Sequence, residues 1–511
     1  MYVSYSPEGR TELCTLKRID FEGKKLDEAA DNFPWCSGTG LSPAGEGGLL
    51  VQDDSALYRY DLNARKKETV LIWSECGVGG SWVERVNALE DGRLLAVLND
   101  PEGAGSGPVL LTGADGEQIP QKETLVMGTL YTDFDSQDAI DRFNRNNDKY
   151  TIKIKEYADE TALNLDIVSG RCPDIIEFGN LHIEYMIEKG MFEDLNPYLE
   201  KSSKLSREDF FEGIMDAYVF DGIQVALPRG FDLYTLIGRT EVVGSEIGWT
   251  LEEMLEFAEN HPDAVLFDRP KGNILRMLMR YNEELFVDWE TGKCGFDSEE
   301  FRRLLEFVNR GPEETSYDRG ISYVNEIREG RVLLLEWFMQ FEEVQVLEEI
   351  FGGEVTFKGF PTPEGTSGAT ASWSSAYAIT AGSEHKDVAW EFLETFFTES
   401  KKHSGWFPGL KKNIEDGLLQ AMKINHDGVE YGDYIGEIDG EPYTYRAATQ
   451  EEVDRILALM DDMESLADQC DREIENMIVE EAEAYFKGQK PVEDVMEIIQ
   501  GRVQMYVSEK R

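Results

Sequence analysis

"ALNLDIVSGRCPDIIEF", residues 162–178, is the stretch whose reading decides the fold. Leu163, Ile167 and Val168 are spaced to put apolar side chains on the inner face of a short helix. Gly170 ends that helix, because the left-handed conformation that closes a helix is least strained without a Cβ. Pro173 then bars the helix from resuming. "DIIEF" follows at once as a short strand buried on both faces. The stretch is therefore the helix-to-strand half of a βαβ unit. The loop after Phe178 leaves at the carboxyl edge of the sheet, where open α/β sheets bind ligands.

The same alternation extends upstream. "TLVMGTLY" (124–131) is an apolar run that predicts a buried strand. "DSQDAIDRFNRNND" (135–148) predicts a helix with Ser136 as N-cap and Ala139, Ile140 and Phe143 on one face. "YTIKIKEY" (150–157) alternates strictly and predicts a second strand.

Before residue 120 the pattern is different. "MYVSYSPEGRTELCTLKRIDFEGKKL" (1–26), "GGLLVQDDSALYRYDLNARKK" (47–67) and "DGRLLAVLNDPEGAGSGPVLLTGADGE" (91–117) share a rhythm of short strands and turns. Their spacing of about 45 residues matches a four-stranded propeller blade. A plain β-meander or small sandwich is the competing reading. Three blades are too few to close a ring of about four or more. The expectation is an all-β, partial propeller-like region over residues 1–122, with further blades and an export signal upstream.

Bulk properties bound the function. The chain has 511 residues, enough for two or three domains, and carries 26 Phe, 21 Tyr and 9 Trp for sizeable cores. A formal charge of −51 repels phosphate backbones and anionic lipid, which argues against nucleic acid as partner. The cysteines Cys14, Cys36, Cys76, Cys172, Cys294 and Cys470 are scattered, as are the five histidines, so neither a zinc site nor a redox motif is indicated. No phosphate-binding loop, nucleophile elbow or dinucleotide fingerprint is present, and no cofactor is expected.

Taken together, "FNRNNDKYTIKIKEY", "LNLDIVSGRCPDIIEF" and "EYMIEKGMFEDLNPYLEKS" (184–202) resemble the bacterial extracellular solute-binding proteins, the ligand receptors of ATP-driven importers, in the large branch that includes many sugar binders. "GIQVALPRGFDLYTLIGRTEVVG" (222–244), "GWTLEEMLEFA" (248–258), "EGRVLLLEWF" (329–338), "SWSSAYAITAGSEHKDVAWEFLETFF" (372–397) and "EEAEAYFKGQKPVEDVMEIIQGRVQMYVSE" (480–509) extend the resemblance over roughly residues 124–511. The chain departs from it at "LIGRTEVV", where the family often places Tyr-Asn, and this leaves the ligand class open. The resemblance implies a two-lobed α/β periplasmic-binding-protein-like clamp over residues 123–511. Lobe 1 would take about 123–228 and 360–400, lobe 2 about 232–355 and 405–450, and C-terminal helices would fill 451–511. It also implies a membrane permease as partner and an extracellular, lipoprotein-anchored location. The tail from Glu451 to about Tyr485 reads as helical, with Val453, Ile456, Leu457 and Met460 at helical spacing.

A solute receptor needs an aromatic floor and a few convergent polar groups. Candidate ligand contacts are Asp135 and Asn180 after strands of lobe 1, and Arg229, Phe231 and Asp232 at the first crossover. Glu336 and Trp337 follow a strand of lobe 2, Trp373, Ser374 and Tyr377 lie at the return crossover, and Trp406 opens a later loop. Core packing competes for each aromatic, and an interdomain ion pair competes for Arg229. The expected function is capture of a small molecule, a carbohydrate or oligosaccharide first. Two alternatives stand beside it: a carbohydrate-active enzyme using an acidic pair, and a surface sensory or adhesion protein binding through its β-repeat region.

Overall fold

The structure, a computed structural model, describes residues 2–5, 13–34, 41–44, 47–53, 55–73, 76, 78–99, 106–113, 122–178, 186–187, 189–399, 407–423, 434–461, 463, 465–466 and 470–510. The chain divides into two compact units. The first comprises Met1–Glu177, Glu188–Phe192 and Ile379–Lys402, and the second Phe178–Ile187, Glu193–Ala378 and His403–Arg511.

The first unit opens with β-structure. Strands β1 (Tyr2–Tyr5), β2 (Leu13–Asp20) and β3 (Lys25–Pro34) form one antiparallel sheet, and β4 (Leu41–Pro43), β5 (Gly48–Gln52), β6 (Ala56–Asp61) and β7 (Lys66–Ile72) form a second. Strands β8 (Val83–Ala88), β9 (Leu94–Asn99) and β10 (Ser106–Leu111) form a third. The middle sheet is covered on both faces, so all five residues of β5 are buried. Leu49 and Val51 pack with Leu16, Phe33 and Tyr60 on one side, and Leu50 packs with Leu57, Trp73, Val83, Val86 and Ala96 on the other. No α-helix falls among the described residues of this region, though Gly80–Trp82 makes a 3-10 turn. The propeller-like expectation is corrected: the described strands make three small separate sheets, not a propeller.

The quoted stretch folds as its residues dictate. Strands β11 (Glu123–Thr129), β12 (Tyr150–Glu156) and β13 (Ile175–Phe178) run parallel in the order β12-β11-β13, with helices α1 (Phe134–Asn146) and α2 (Glu160–Val168) as crossovers. Gly170 closes α2 at φ +78°. Ile175, Ile176 and Glu177 are buried, as a strand covered on both faces requires. Asp174 anchors the strand: its carboxylate accepts from Val126 N at 2.8 Å and from Ser383 Oγ at 2.6 Å. Gly128 allows β11 to approach the turn, since a Cβ there would stand 2.7 Å from Pro173 Cγ. Two local expectations change. Asp133, not Ser136, caps α1, and its side chain accepts from Ser136 N. Val168 is 72% exposed, because one step past Ile167 turns about 100° off the buried face.

The β-region is fixed to α1 by Trp82. Its Nε1 donates to Asp138 Oδ1 at 2.6 Å, and the Arg145 guanidinium lies 5.9 Å from its ring centre. Gly79 is needed beneath it, since a Cβ would stand 2.6 Å from the indole and 2.8 Å from Asp141 Oδ2.

In the second unit, β14 (Leu227–Arg239) is the central strand. It pairs antiparallel with β15 (Leu334–Met339) on one edge and β16 (Thr370–Ile379) on the other. Its residues Leu236 and, from β15, Leu334 pack into a helical core built by Leu251–Glu259, Lys271–Asn282 and Glu299–Asn309 together with the C-terminal helices Arg472–Phe486 and Val492–Lys510. The expected helical tail is broken in two: Gln450–Asp461 carries the buried Val453, Ile456 and Met460, and Asp471 starts the next helix as its N-cap.

Replacing Trp82 by Ala removes a buried indole and one donor to Asp138, which keeps the donor from Arg142. It should cost about 3–5 kcal/mol in denaturant unfolding of the full chain. A loss under about 1 kcal/mol would show that the β-region does not depend on this contact.

Candidate functional site

Successive side chains of a strand point to opposite faces. In β14 and β15 this rule sorts the candidates. Cross-strand partners share a face, and Tyr234 pairs with Phe338, Leu236 with Glu336, and Thr235 with Trp337. Asp232, Tyr234, Glu336 and Phe338 therefore share one face, and Thr235 and Trp337 share the other.

The first face carries a half-exposed aromatic and charged patch. The rings of Tyr234 and Phe338 lie 5.8 Å apart, tilted by 53°. Thr370, the partner of Tyr234 in β16, meets the Tyr281 hydroxyl at 3.2 Å, and Tyr281 stacks on Phe360 at 4.4 Å. Arg269 pairs with Glu336 at 2.6 Å. Burial pushes the Glu336 carboxyl up, and Arg269 and Arg280 pull it back. Asp232, Tyr234, Arg269, Arg280, Tyr281, Glu336 and Phe338 are all partly accessible. The patch offers flat apolar rings beside planar, charged hydrogen-bonding groups.

On the other face, Trp337 Nε1 donates to Glu343 Oε2 at 2.7 Å. Burial pushes the Glu343 carboxyl up to about 7, against the lowering by that hydrogen bond, and neighbouring Glu342 adds to the rise.

The remaining candidates are dispersed. Phe231 is buried among Phe211 and Phe407, with ring centres at 5.7 and 5.6 Å, and Tyr377 is wholly buried. Both are core side chains: Phe231 is covered on its own face by Phe211 and Phe407, and Tyr377 is wholly enclosed. Arg229 is half-buried in β14, and its carbonyl accepts from Gly409 N. Asp135 lies in the first turn of α1, in the first unit. Trp373 stands in β16 opposite Phe231, with Ser374 next to it. Asn180 and Trp406 lie outside the described residues. Tyr234, Phe338, Tyr281, Arg269 and Arg280 were missed from sequence. A period-two step from Asp232 to Tyr234 and from Glu336 to Phe338 was the available signal; nothing local marks Arg269 or Arg280.

A separate pocket of about 520 Å³, counting its open mouth, lies among the helices of the second unit and is lined by Pro262, Asp263, Phe267, Phe307 and Arg310. Among the described residues no group of His, Cys, Asp and Glu is arranged to hold a metal ion, and no helix is long and apolar enough to cross a membrane.

The family model described as bacterial extracellular solute-binding protein matches residues 138–407, more than half of the chain. The chain belongs to this family. This solute-binding protein also resembles solved structures. The sugar-binding protein MalE from Xanthomonas citri is 15% identical, with 76% of this chain and 98% of that chain covered and a TM-score of 0.49. A family 1 extracellular solute-binding protein from Alicyclobacillus acidocaldarius is 11% identical, with 76% and 98% covered and a TM-score of 0.48. The galacto-N-biose-/lacto-N-biose I-binding protein of an ABC transporter from Bifidobacterium longum is 14% identical, with 76% and 98% covered and a TM-score of 0.42. No curated protein matches.

The raised Glu343 carboxyl sets a pH dependence. Between about 4.5 and 7 the folded protein holds a proton that the unfolded chain has released. The unfolded state then binds fewer protons, so this group's contribution is full below about 4.5 and is lost as pH rises to about 7. Gln at 343 keeps an acceptor for Trp337 without the charge. Measured by denaturant midpoints, Glu343→Gln should gain on the parent by roughly 1–3 kcal/mol between acid and mildly alkaline pH. Parallel pH profiles for the two proteins would remove the assigned cause.

Proposed function

We propose that this solute-binding protein captures a carbohydrate on the Tyr234–Phe338 face of its second unit and delivers it to the membrane permease of an ATP-driven importer. The observation that carries the reading is the half-exposed aromatic pair framed by Asp232, Glu336 and Arg269 on one side of a rigid sheet. The C–H faces of a sugar lie against aromatic rings, and its hydroxyls need planar or charged partners. Both are supplied here by neighbours on fixed strands, so little ordering is needed on binding. A solute receptor of this family works outside the cytoplasm, where the substrate is met before the membrane is crossed.

The enzyme alternative needs two carboxyls flanking one bond. Glu336 is engaged by Arg269, which supports a role in binding instead of proton transfer.

The test is a thermal-shift screen of the full chain against mono- and oligosaccharides, amino acids, peptides and polyamines, since a ligand bound only by the folded state raises the melting temperature. A saccharide should give the shift and be recovered without product. Phe338→Ala or Tyr234→Ala should weaken that saccharide by about 1–3 kcal/mol, the scale of one buried aromatic contact. A hydrolysed product would favour the enzyme, and unchanged affinity in both variants would remove the patch from the site.

A further inference from the structure

Several half-buried or buried carboxylates of the second unit are paired with an arginine. Glu326 has Arg331, Glu336 has Arg269, Glu452 has Arg446, and Glu475 has Arg276. Glu342 and Glu343 are different. Among the described residues, the charge that acts on Glu343 is that of Glu342, its side-chain hydrogen bond comes from neutral Trp337, and no cation acts on Glu342. Aromatic side chains from three other elements surround this pair. Trp337 comes from β15. Tyr323 comes from the helix Tyr323–Arg328, and Tyr445 from the hairpin strand Glu441–Tyr445; the charge of Glu343 acts on both phenols. Tyr443 packs edge-on against Tyr445 at 5.1 Å. Two cations near the hairpin are engaged elsewhere: Lys423, just past the helix Ile414–Ala421, donates to the Tyr445 carbonyl, and Arg446, next after the hairpin strand, pairs with Glu452.

Thr235 is the cross-strand partner of Trp337 on the same face and is wholly buried. Its hydroxyl has no hydrogen-bond partner among the described residues. A buried hydroxyl left this way carries a desolvation cost that a ligand donor would relieve.

We propose that Trp337, Tyr323 and Tyr445, with Glu342, Glu343 and Thr235, form a second ligand site that takes an organic ammonium ion. The ion supplies the missing counter-charge to the carboxylates. Its charge rests on the indole and phenol faces by cation–π attraction. An N–H can donate to Thr235 Oγ1. The site is distinct from the saccharide face, because Trp337 points away from Glu336 on the same strand. Among the described residues, Glu342 on its own segment and Trp337 act on Glu343, Glu343 in turn acts on Tyr445 and Tyr323, and Asp439 acts on Tyr323. Because burial holds Glu343 protonated up to about 7, loading the site with a cation expels a proton at neutral pH.

Calorimetry of the full chain with n-butylammonium, and with neutral 1-pentanol as its shape control, tests this. Butylammonium should bind roughly tenfold more tightly at about pH 8 than at about pH 6, with proton release, and pentanol should not compete. Glu343→Gln should abolish the pH dependence and weaken the ammonium at least about tenfold at the higher pH. Trp337→Leu, a second variant that keeps the carboxylates, should weaken it at both pH values. Equal binding of pentanol, ammonium binding unchanged in both variants, or no ammonium binding at the higher pH would each overturn the proposal.

Discussion

Strand Leu227–Arg239 has neighbours on both edges, and its backbone groups are satisfied only while β15 and β16 stay in register. A slip of one residue would turn every side chain of the strand to the wrong face. Leu236 and Tyr234 would both leave their face, and Thr235 or Ile237 would turn toward the helical core instead. The register therefore fixes the core and the patch together. Because the strand is long and held on both sides, the groups it presents are preorganised. A ligand meeting Tyr234 and Phe338 meets rings already in place.

Charge is the second organising constraint. With −51 to carry, the fold must either expose its carboxylates or give them partners. Asp166 in the first unit shows the second solution: Lys155 and Arg171 hydrogen-bond its carboxyl and hold it at about 2. Burial pushes the Glu452 carboxyl up, but Arg446 and the backbone and hydroxyl of Thr449 outweigh this and hold it at about 2. Glu343 shows a third solution, in which the proton itself removes the charge. Paired carboxylates stabilise the fold as pH rises through their low values, and Glu343 acts in the opposite sense. A carboxyl kept neutral by burial in this way is retained at a cost to stability above neutral pH.

The N-terminal β-region is organised by simpler means. Its middle sheet buries both faces, and Trp82 joins it to α1 with one indole, one carboxylate and the space left by Gly79. The apolar alternation of β5 and β6 suffices to make the sheets; the joint needs a single large side chain whose polar end finds a partner.

The amino-acid sequence by itself determined the βαβ unit, because Gly170, Pro173 and the apolar period act within a few residues of where they stand. It determined the all-β character of the N-terminal region, the docked C-terminal helices and, through the order of many weak segments, the family. It also named Asp232 and Glu336, which share the patch. Tertiary structure alone decided which neighbours join them. Tyr281, Arg269 and Arg280 reach the patch from helical and loop segments far from β14 in the chain, and no local pattern records that approach. It alone separated Glu336 from Trp337, since adjacent residues of one strand look equally eligible until the register says which face is which. It also sent Phe231 and Tyr377 to the core, because an aromatic side chain reads the same whether neighbouring strands cover it or leave it open.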